Sequence, residues 1–141
     1  MAAEYAMHAQ FGTGHRYRFE SAGIEAKPQT IHPMIRARLV QHGIDPAKHI
    51  QRRLTQELID RVDLIIVMGQ DHRDWIHRRF DRNVPLFNQV SFGMDAPILD
   101  LHEALPNWEC DLEAARVYVE SVIDHIWSAA PMLVARLPQF L

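Results

Sequence analysis

The sequence predicts an α/β fold in which a short parallel sheet lies between layers of helices. The run "DLIIVM" at 63–68 is apolar on both faces, which is typical of a parallel strand covered by helices. Apolar residues recur at helical spacing in 2–11 and 111–128, and predicted strands alternate with helices between them. A chain of 141 residues is long enough for one domain with a sizeable core. We therefore predict a single three-layer sandwich over residues 1–141.

The first part of the chain predicts a helix, a strand and a second helix. Residues 2–11 predict the first helix, and "RYRFESA" at 16–22 predicts the strand. The second helix begins at Pro33 and reaches about His42, just before Gly43. Proline favours the first position of a helix and glycine the position after its end, so both boundaries are marked in the sequence.

The rest of the chain continues the alternation. Thr55 predicts the start of a short helix, "QELIDRV", because its hydroxyl can accept a hydrogen bond from an amide of the first turn. After the strand at 63–68, a helix is predicted at 70–80 and a short strand at 84–87. Residues 88–109 predict a long irregular segment, which in compact domains usually carries function. A last helix is predicted from Asp111 to about Ser128.

Composition excludes several classes of function. The net charge of −3 gives no bulk attraction to nucleic acid or to an anionic membrane surface. No apolar run approaches the roughly 20 residues of a membrane span. A single cysteine, Cys110, excludes a disulfide within the chain and agrees with a reducing compartment, so we expect a cytoplasmic protein.

The histidines and arginines predict no metal site and no nucleic-acid site. His72 and His77 are five residues apart on a predicted helix, about 140° from a shared face, so they do not readily bind one ion. The arginines of "HRDWIHRRFDR" alternate with aspartates, which is typical of a solvated helix face. We expect no metal and no cofactor.

Cys110 does not resemble a catalytic thiol. Its neighbours Glu109 and Asp111 are acidic and disfavour a thiolate. Arg116 lies six residues later, which completes a "C-x5-R" string, but the string falls in a predicted helix with no glycine and no preceding strand to form a phosphate cradle. The sequence therefore offers no candidate nucleophile.

Four stretches together resemble the low-molecular-weight protein tyrosine phosphatases and their arsenate reductase relatives. "SAG" at 21–23 resembles the end of the family's second strand, and "HPMIRARLVQHGI" at 32–44 resembles the helix that follows. "HIQRRLT" at 49–55 is similar to the family's "H-x-A-R-x-L-T", and "DLIIVMGQDH" at 63–72 resembles its next strand and turn. Each stretch alone is weakly specific, but four in the right order and spacing are specific together.

The resemblance implies that the catalytic loop is missing from this chain. Family members begin with a strand and a loop of Cys, five residues and Arg, followed by Ser/Thr-Pro and commonly Met-Ala-Glu. The opening "MAAE" resembles that continuation. We therefore expect a phosphotyrosine protein phosphatase I-like fold that is truncated at its N-terminus, without the first strand and the phosphate loop.

The resemblance also suggests roles for a few residues that are present. The family's general acid lies in a late loop, in an apolar-apolar-Asp-Pro setting, and Asp100 in "PILDL" is the best match. Leu101 replaces the expected proline, and Asp95 in "MDAP" is the alternative acid. Ser21 and Arg52 match positions that support the phosphate loop in the family.

Two hypotheses of function follow. In the first, the chain is a phosphatase-like domain whose family reaction is phosphate monoester hydrolysis through a cysteinyl-phosphate, and it is inactive alone; with the missing loop, a phosphorylated protein or a small phosphomonoester would be its substrate. In the second, it is a non-catalytic binding module that self-associates as a homodimer. Arsenate reduction ranks lower, because it requires several cysteines in the relatives considered and this chain has one.

Overall fold

The structure is a computed structural model that describes residues 1–12, 16–25 and 30–141. The described residues form seven α-helices, namely α1 (Ala2–Phe11), α2 (Pro33–Gln41), α3 (Gln56–Arg61), α4 (Gln70–Phe80), α5 (Phe87–Phe92), α6 (Leu101–Ala104) and α7 (Leu112–Arg136). Single turns of 3-10 helix occur at Pro46–Lys48, Trp108–Cys110 and Leu137–Gln139. Helix is therefore the dominant secondary structure of this part of the chain.

The four helices predicted in the first 80 residues are confirmed as α1 to α4. Thr55 caps α3 as expected, since its hydroxyl accepts a hydrogen bond from the Leu58 amide at 3.3 Å. Gly43 follows α2 with φ of 76°, a left-handed conformation that glycine adopts without a Cβ penalty. His32 caps the start of α2, because its Nδ1 accepts from the Met34 amide at 3.2 Å.

The predicted sheet is not confirmed in the described residues. Parallel pairing in the described residues is limited to two isolated bridges. Gly23, just after the predicted strand at 16–22, pairs with Arg53, and Val67 of the run at 63–68 pairs with Leu86 of the run at 84–87. Local structure limits both pairings to one residue. Arg53 is followed almost at once by the capped start of α3, and Leu86 directly precedes α5, so neither partner stays extended long enough to form a ladder.

The segment at 88–109 is more ordered than the sequence predicts. It contains most of α5, all of α6 and most of a 3-10 turn. Phe87 and Val90 of α5 are buried, at the three-residue spacing of one helix face. Gly93 ends α5 with φ of 72°, and the guanidinium of Arg136 lies 3.3 Å from where a Cβ of this residue would be. The close approach and the backbone conformation both favour glycine at this position.

The last helix is longer than predicted. It continues past Ser128 to Arg136 and includes Pro131 in its interior. Because proline has no amide hydrogen, the carbonyl of Trp127, four residues earlier, has no helical donor. The side-chain amide of Gln10 on α1 donates to that carbonyl at 2.8 Å and replaces the missing hydrogen bond.

The chain divides into two compact units. The first comprises Met1–Arg53 and Asn107–Ala130, and the second comprises Leu54–Pro106 and Pro131–Leu141. The core of the first unit is built on Leu39, Ile44 and Ile123. The core of the second is built on four buried side chains, Val67, Ile76, Val84 and Leu86. The single domain expected from the sequence stays a prediction.

Within residues 1–12, 16–25 and 30–141, no helix combines the length and the apolar composition that a membrane crossing requires.

Candidate functional site

A cavity of about 610 Å³ lies in the first unit beside α1. Helix α1 and the residue after it line one side of the cavity, through Glu4, Tyr5, His8 and Gly12. Glu4, His8 and Gly12 are four positions apart and Tyr5 lies three before His8, so these residues share one side of the helix. The remaining walls come from residues 17–21 and from the segment after the 3-10 turn, namely Lys48, His49, Ile50 and Arg52.

Ser21 and Arg52, the two predicted support residues, lie together in this cavity. The Arg52 guanidinium donates to the carbonyl of Ser21 at 3.2 Å and to the carboxylate of Glu20 at 3.4 Å. The Arg52 carbonyl accepts from the Gly23 amide at 2.8 Å, which holds the two segments side by side. The Ser21 hydroxyl donates to the carboxylate of Glu4 on α1. The two residues are therefore fixed in position, and their role in holding a phosphate loop stays a prediction.

His49 and Tyr5 form a second pair in the cavity, which the sequence analysis did not single out as a site. The Tyr5 hydroxyl and His49 Nδ1 are 3.3 Å apart, and the rings meet edge to face at 5.5 Å. Burial, and then the positive charge of the Met1 α-amine, lower the pKa of His49 from its ordinary value. Burial, and then the carboxylate of Glu4, raise the pKa of Tyr5. Both shifts favour the uncharged form of the side chain. The sequence analysis included His49 only as the first residue of the family-like stretch "HIQRRLT" at 49–55.

Asp100, the predicted general acid, caps α6. Its carboxylate accepts from the Glu103 amide at 2.9 Å, and the Glu103 carboxylate accepts from the Asp100 amide at 3.2 Å. This reciprocal capping box explains the residue locally without any catalytic role. Asp100 is exposed and belongs to the second unit, whereas Ser21 and Arg52 belong to the first.

Asp95, the alternative acid, is held in an ion pair. Its carboxylate accepts from the Arg73 guanidinium at 2.9 Å. The side chain of Asp95 is 68% exposed, so solvent weakens this pair. Both candidate acids are therefore accessible carboxylates on the second unit, and the assignment of either as an acid stays a prediction.

The string from Cys110 to Arg116 does not form a phosphate cradle. Cys110 is exposed and ends a 3-10 turn just before α7. Arg116 already binds two carboxylates of its own helix, with Nε donating to Glu113 at 3.1 Å and Nη1 donating to Glu120 at 2.9 Å. These contacts raise the pKa of Arg116 and direct its guanidinium along the helix surface.

No three His, Cys, Asp or Glu side chains come together as possible metal ligands in the ranges that the structure describes.

Comparisons with known proteins identify the family. The family model described as "Low molecular weight phosphotyrosine protein phosphatase" matches residues 1–137. Among solved structures, a YwlE mutant from Bacillus subtilis is similar, with a TM-score of 0.77 over 97% of this chain and 88% of that chain. Their sequences are 21% identical, so this likeness shows the fold alone. A search of curated proteins found no match. Because the family model covers all but the last few residues, the chain belongs to the low molecular weight phosphotyrosine protein phosphatase family.

Proposed function

We propose that these 141 residues form the supporting and acid-bearing part of a phosphatase-type site and do not hydrolyse phosphate monoesters on their own. This proposal rests on the surroundings of Cys110, the single cysteine of the sequence, and of Arg116, six residues later. Cys110 is exposed beside Glu109 and Asp111, and Arg116 is paired with carboxylates of α7. A thiolate nucleophile needs positive surroundings, and oxyanions need a free guanidinium and backbone amides.

The residues around α1 are proposed to support a phosphate loop. A phosphate loop that leads into this helix would place its oxyanions at the positive end of the helix dipole. Ser21 and Arg52 are already held near that helix by hydrogen bonds to Glu4 and Glu20. Their part in the proposed function is to orient the loop.

Asp100 is proposed as the acid that protonates the leaving oxygen when the phosphorus–oxygen bond breaks. Its Oδ1 accepts from the Glu103 amide, and Oδ2 takes no part in that hydrogen bond. The carboxyl group can therefore remain the cap of α6 while its other oxygen carries the proton. The substrate would be a phosphorylated protein or a small phosphomonoester.

The test compares this chain with a version extended at its N-terminus by an apolar strand and a Cys-x5-Arg-Ser/Thr-Pro loop. We expect no thiol-dependent hydrolysis of p-nitrophenyl phosphate by the 141-residue chain and measurable hydrolysis by the extended one. Replacing the loop cysteine with serine is the matched control and should abolish that activity. Hydrolysis by the 141-residue chain that disappears in Cys110→Ser would overturn the proposal.

The acid assignment is tested in the same extended protein. Asp100→Asn should lower kcat about 100-fold, since removal of a general acid typically costs two or more orders of magnitude. Asp95→Asn should change kcat little, because its carboxylate is proposed only to pair with Arg73. A large loss of kcat in Asp95→Asn with little change in Asp100→Asn would assign the general acid to Asp95 instead.

The alternative is a self-associating binding module. It is favoured by one observation: residues 64–66 are partly buried, and their backbone groups have no hydrogen-bond partner among the described residues. A cytoplasmic location is proposed because a single exposed thiol is stable in a reducing compartment.

A further inference from the structure

Arg136, the last residue of α7, packs against the end of α5 without a hydrogen bond. Its Nη2 and Nη1 atoms lie 3.3 and 3.4 Å from where a Cβ of Gly93 would be. Among the described residues, no side chain or carbonyl accepts from this guanidinium, and its Nε is buried without a partner while the two Nη groups reach the surface. Residues 13–15 and 26–29 contain no aspartate or glutamate. No carboxylate within the described residues therefore neutralises the charge of Arg136.

Two helix ends account for the position of this charge but not for its hydrogen bonds. Helix α5 ends next to Gly93 and α7 ends at Arg136, and the carbonyl dipoles at both ends favour a cation. An arginine has five donors and stays charged at neutral pH, so donors left unpaired near the protein interior cost free energy. A carboxylate matches this need, because its two oxygens accept in parallel from one guanidinium.

Exposed apolar side chains surround the guanidinium. Met132 precedes Arg136 by four residues, on the same face of α7, and is 49% exposed. Phe92 and Met94 flank Gly93 and are 41% and 57% exposed. Arginine, methionine and aromatic residues are the types enriched in protein interfaces, and methionine adapts its shape to a partner. These four side chains, of Phe92, Met94, Met132 and Arg136, form what we call the α5–α7 surface, and all of them belong to the second unit.

The α5–α7 surface does not involve the unpaired backbone of residues 64–66. Val67, which follows them, donates to the Pro85 carbonyl at 3.1 Å and accepts from the Phe87 amide at 2.8 Å. Phe87 is the first residue of α5, so this helix begins on the side of Val67 that is already paired. The charge and the exposed side chains at the end of α5 therefore do not depend on which strand pairs with residues 64–66.

We propose that the α5–α7 surface binds a partner protein through an acidic residue flanked by apolar side chains. The partner's carboxylate accepts from Nη1 and Nη2 of Arg136, and the apolar side chains beside it cover Met94 and Met132. Nucleic acids and anionic membranes are bound by several cations close together, whereas this surface supplies one cation among apolar groups. The neighbouring carboxylate of Asp95 already pairs with Arg73, so it does not compete for Arg136.

The test titrates the isotope-labelled 141-residue chain with two acetylated and amidated peptides, Leu-Glu-Leu and Leu-Gln-Leu, and follows amide resonances by NMR. The two peptides have the same shape and differ in the charge of the central side chain. We expect saturable shifts of the Gly93 and Met94 amides, with the glutamate peptide binding about fivefold more tightly, as a partly exposed ion pair allows. Equal affinities, or no saturable shift at these two amides, would overturn the proposal.

A pair of substitutions assigns the preference to one arginine. Arg136→Met removes the charge and keeps an unbranched side chain, so the preference for glutamate should disappear. The matched control is Arg79→Met, at an exposed arginine of α4 in the same unit, which should keep the preference. A preference that persists in Arg136→Met would overturn the proposal, and if that variant fails to fold, the two peptides on the wild-type chain still decide.

A third peptide, with phosphoserine in place of glutamate, distinguishes the class of partner. Binding of the phosphoserine peptide more than about tenfold tighter than that of the glutamate peptide would contradict the carboxylate assignment and indicate a phosphorylated partner. A smaller difference supports the carboxylate.

Discussion

The carboxylate of Asp124 on α7 contacts two side chains, that of Arg38 in α2 and that of His42, the residue after α2. Its Oδ1 accepts from Arg38 Nε at 2.9 Å and lies 2.8 Å from His42 Nε2. The imidazole of His42 also stacks on the ring of Trp127 at 4.7 Å. The hydrogen bond from Arg38, ahead of the one from His42, lowers the pKa of Asp124 from an ordinary value of 3.8 to about 2. The carboxylate therefore stabilises the first unit while it is ionised.

Replacing Asp124 with asparagine tests this contribution. Because the pKa is lower in the folded chain, the stabilisation is present above about pH 4 and disappears as the pH falls towards 2. The side chain is 38% exposed, so solvent screens the pair, and Asp124→Asn should lower Tm at pH 7 by only about 3 °C. Thermal unfolding measured between pH 7 and pH 2 checks the result, and the two proteins should converge at the acid end.

Asp60→Asn is the control for that experiment. Asp60 is an exposed carboxylate that accepts a hydrogen bond from Gln56 on α3. Its substitution should change Tm little across the same range of pH. A difference between wild type and Asp124→Asn that persists at pH 2 would contradict the ionic origin of the effect.

At the scale of single residues, the sequence suggested candidate residues but not their contacts. The resemblance named Ser21 and Arg52 as support residues, and the structure places them in contact, while their role stays a prediction. The contact of Tyr5 with His49 joins residues 44 positions apart, and no local pattern reports such a distance. The resemblance also suggested Asp100 as the general acid. The stretch "DLHE" at 100–103 forms the capping box of α6 as well, so the aspartate is explained either as an acid or as a helix cap.

At the scale of elements, short helices depend on their first turn. Helix α3 has six residues, too few to be stable without packing and capping. Ile59 supplies the packing, since it is buried, and Thr55 supplies the cap. The two together explain why a helix forms between Arg53 and the apolar segment that begins at Leu64.

Loss of the Thr55 hydroxyl should destabilise α3. Thr55→Ala should lower the free energy of unfolding by about 1 kcal/mol, because the Leu58 amide loses its acceptor. Thr55→Ser keeps the acceptor and should stay close to wild type. Urea denaturation followed by circular dichroism compares the three proteins. Equal losses in both variants would show that the methyl group, and not the cap, is responsible.

The longer and the capped helices were predictable from this sequence, and strand pairing was not. Helix boundaries are marked by local residues such as Pro33, Gly43 and Thr55, and all three were confirmed. A strand is defined by a neighbour distant in sequence, so the apolar run at 63–68 could not reveal that only Val67 would be bridged. Helix α5 was missed because its six residues are too few for a clear period.

At the scale of the whole molecule, α7 is common to both units. The unit boundary falls inside this helix, between Ala130 and Pro131. Ile123 is buried in the first unit and Leu133 in the second. Because one continuous helix carries buried residues of both units, unfolding of either unit would destabilise a helix that the other unit needs.

We therefore expect one cooperative unfolding transition for the 141-residue chain. Ile123→Ala and Leu133→Ala should each destabilise it by about 2–5 kcal/mol and shift the same transition. Scanning calorimetry together with tryptophan fluorescence checks this expectation, since the two signals should coincide. Separate transitions, each sensitive to one of the substitutions, would show instead that the two units fold independently.

The proline of α7 couples two distant positions in the sequence. Pro131 leaves the Trp127 carbonyl without a helical donor, and Gln10 supplies the replacement. An alanine at 131 would return a donor to the helix and make the glutamine dispensable, whereas losing Gln10 alone would leave a carbonyl unpaired. The cost of losing Gln10 therefore depends on order: before Pro131 is replaced it leaves a carbonyl unpaired, at a cost of about 1–3 kcal/mol, and afterwards it does not.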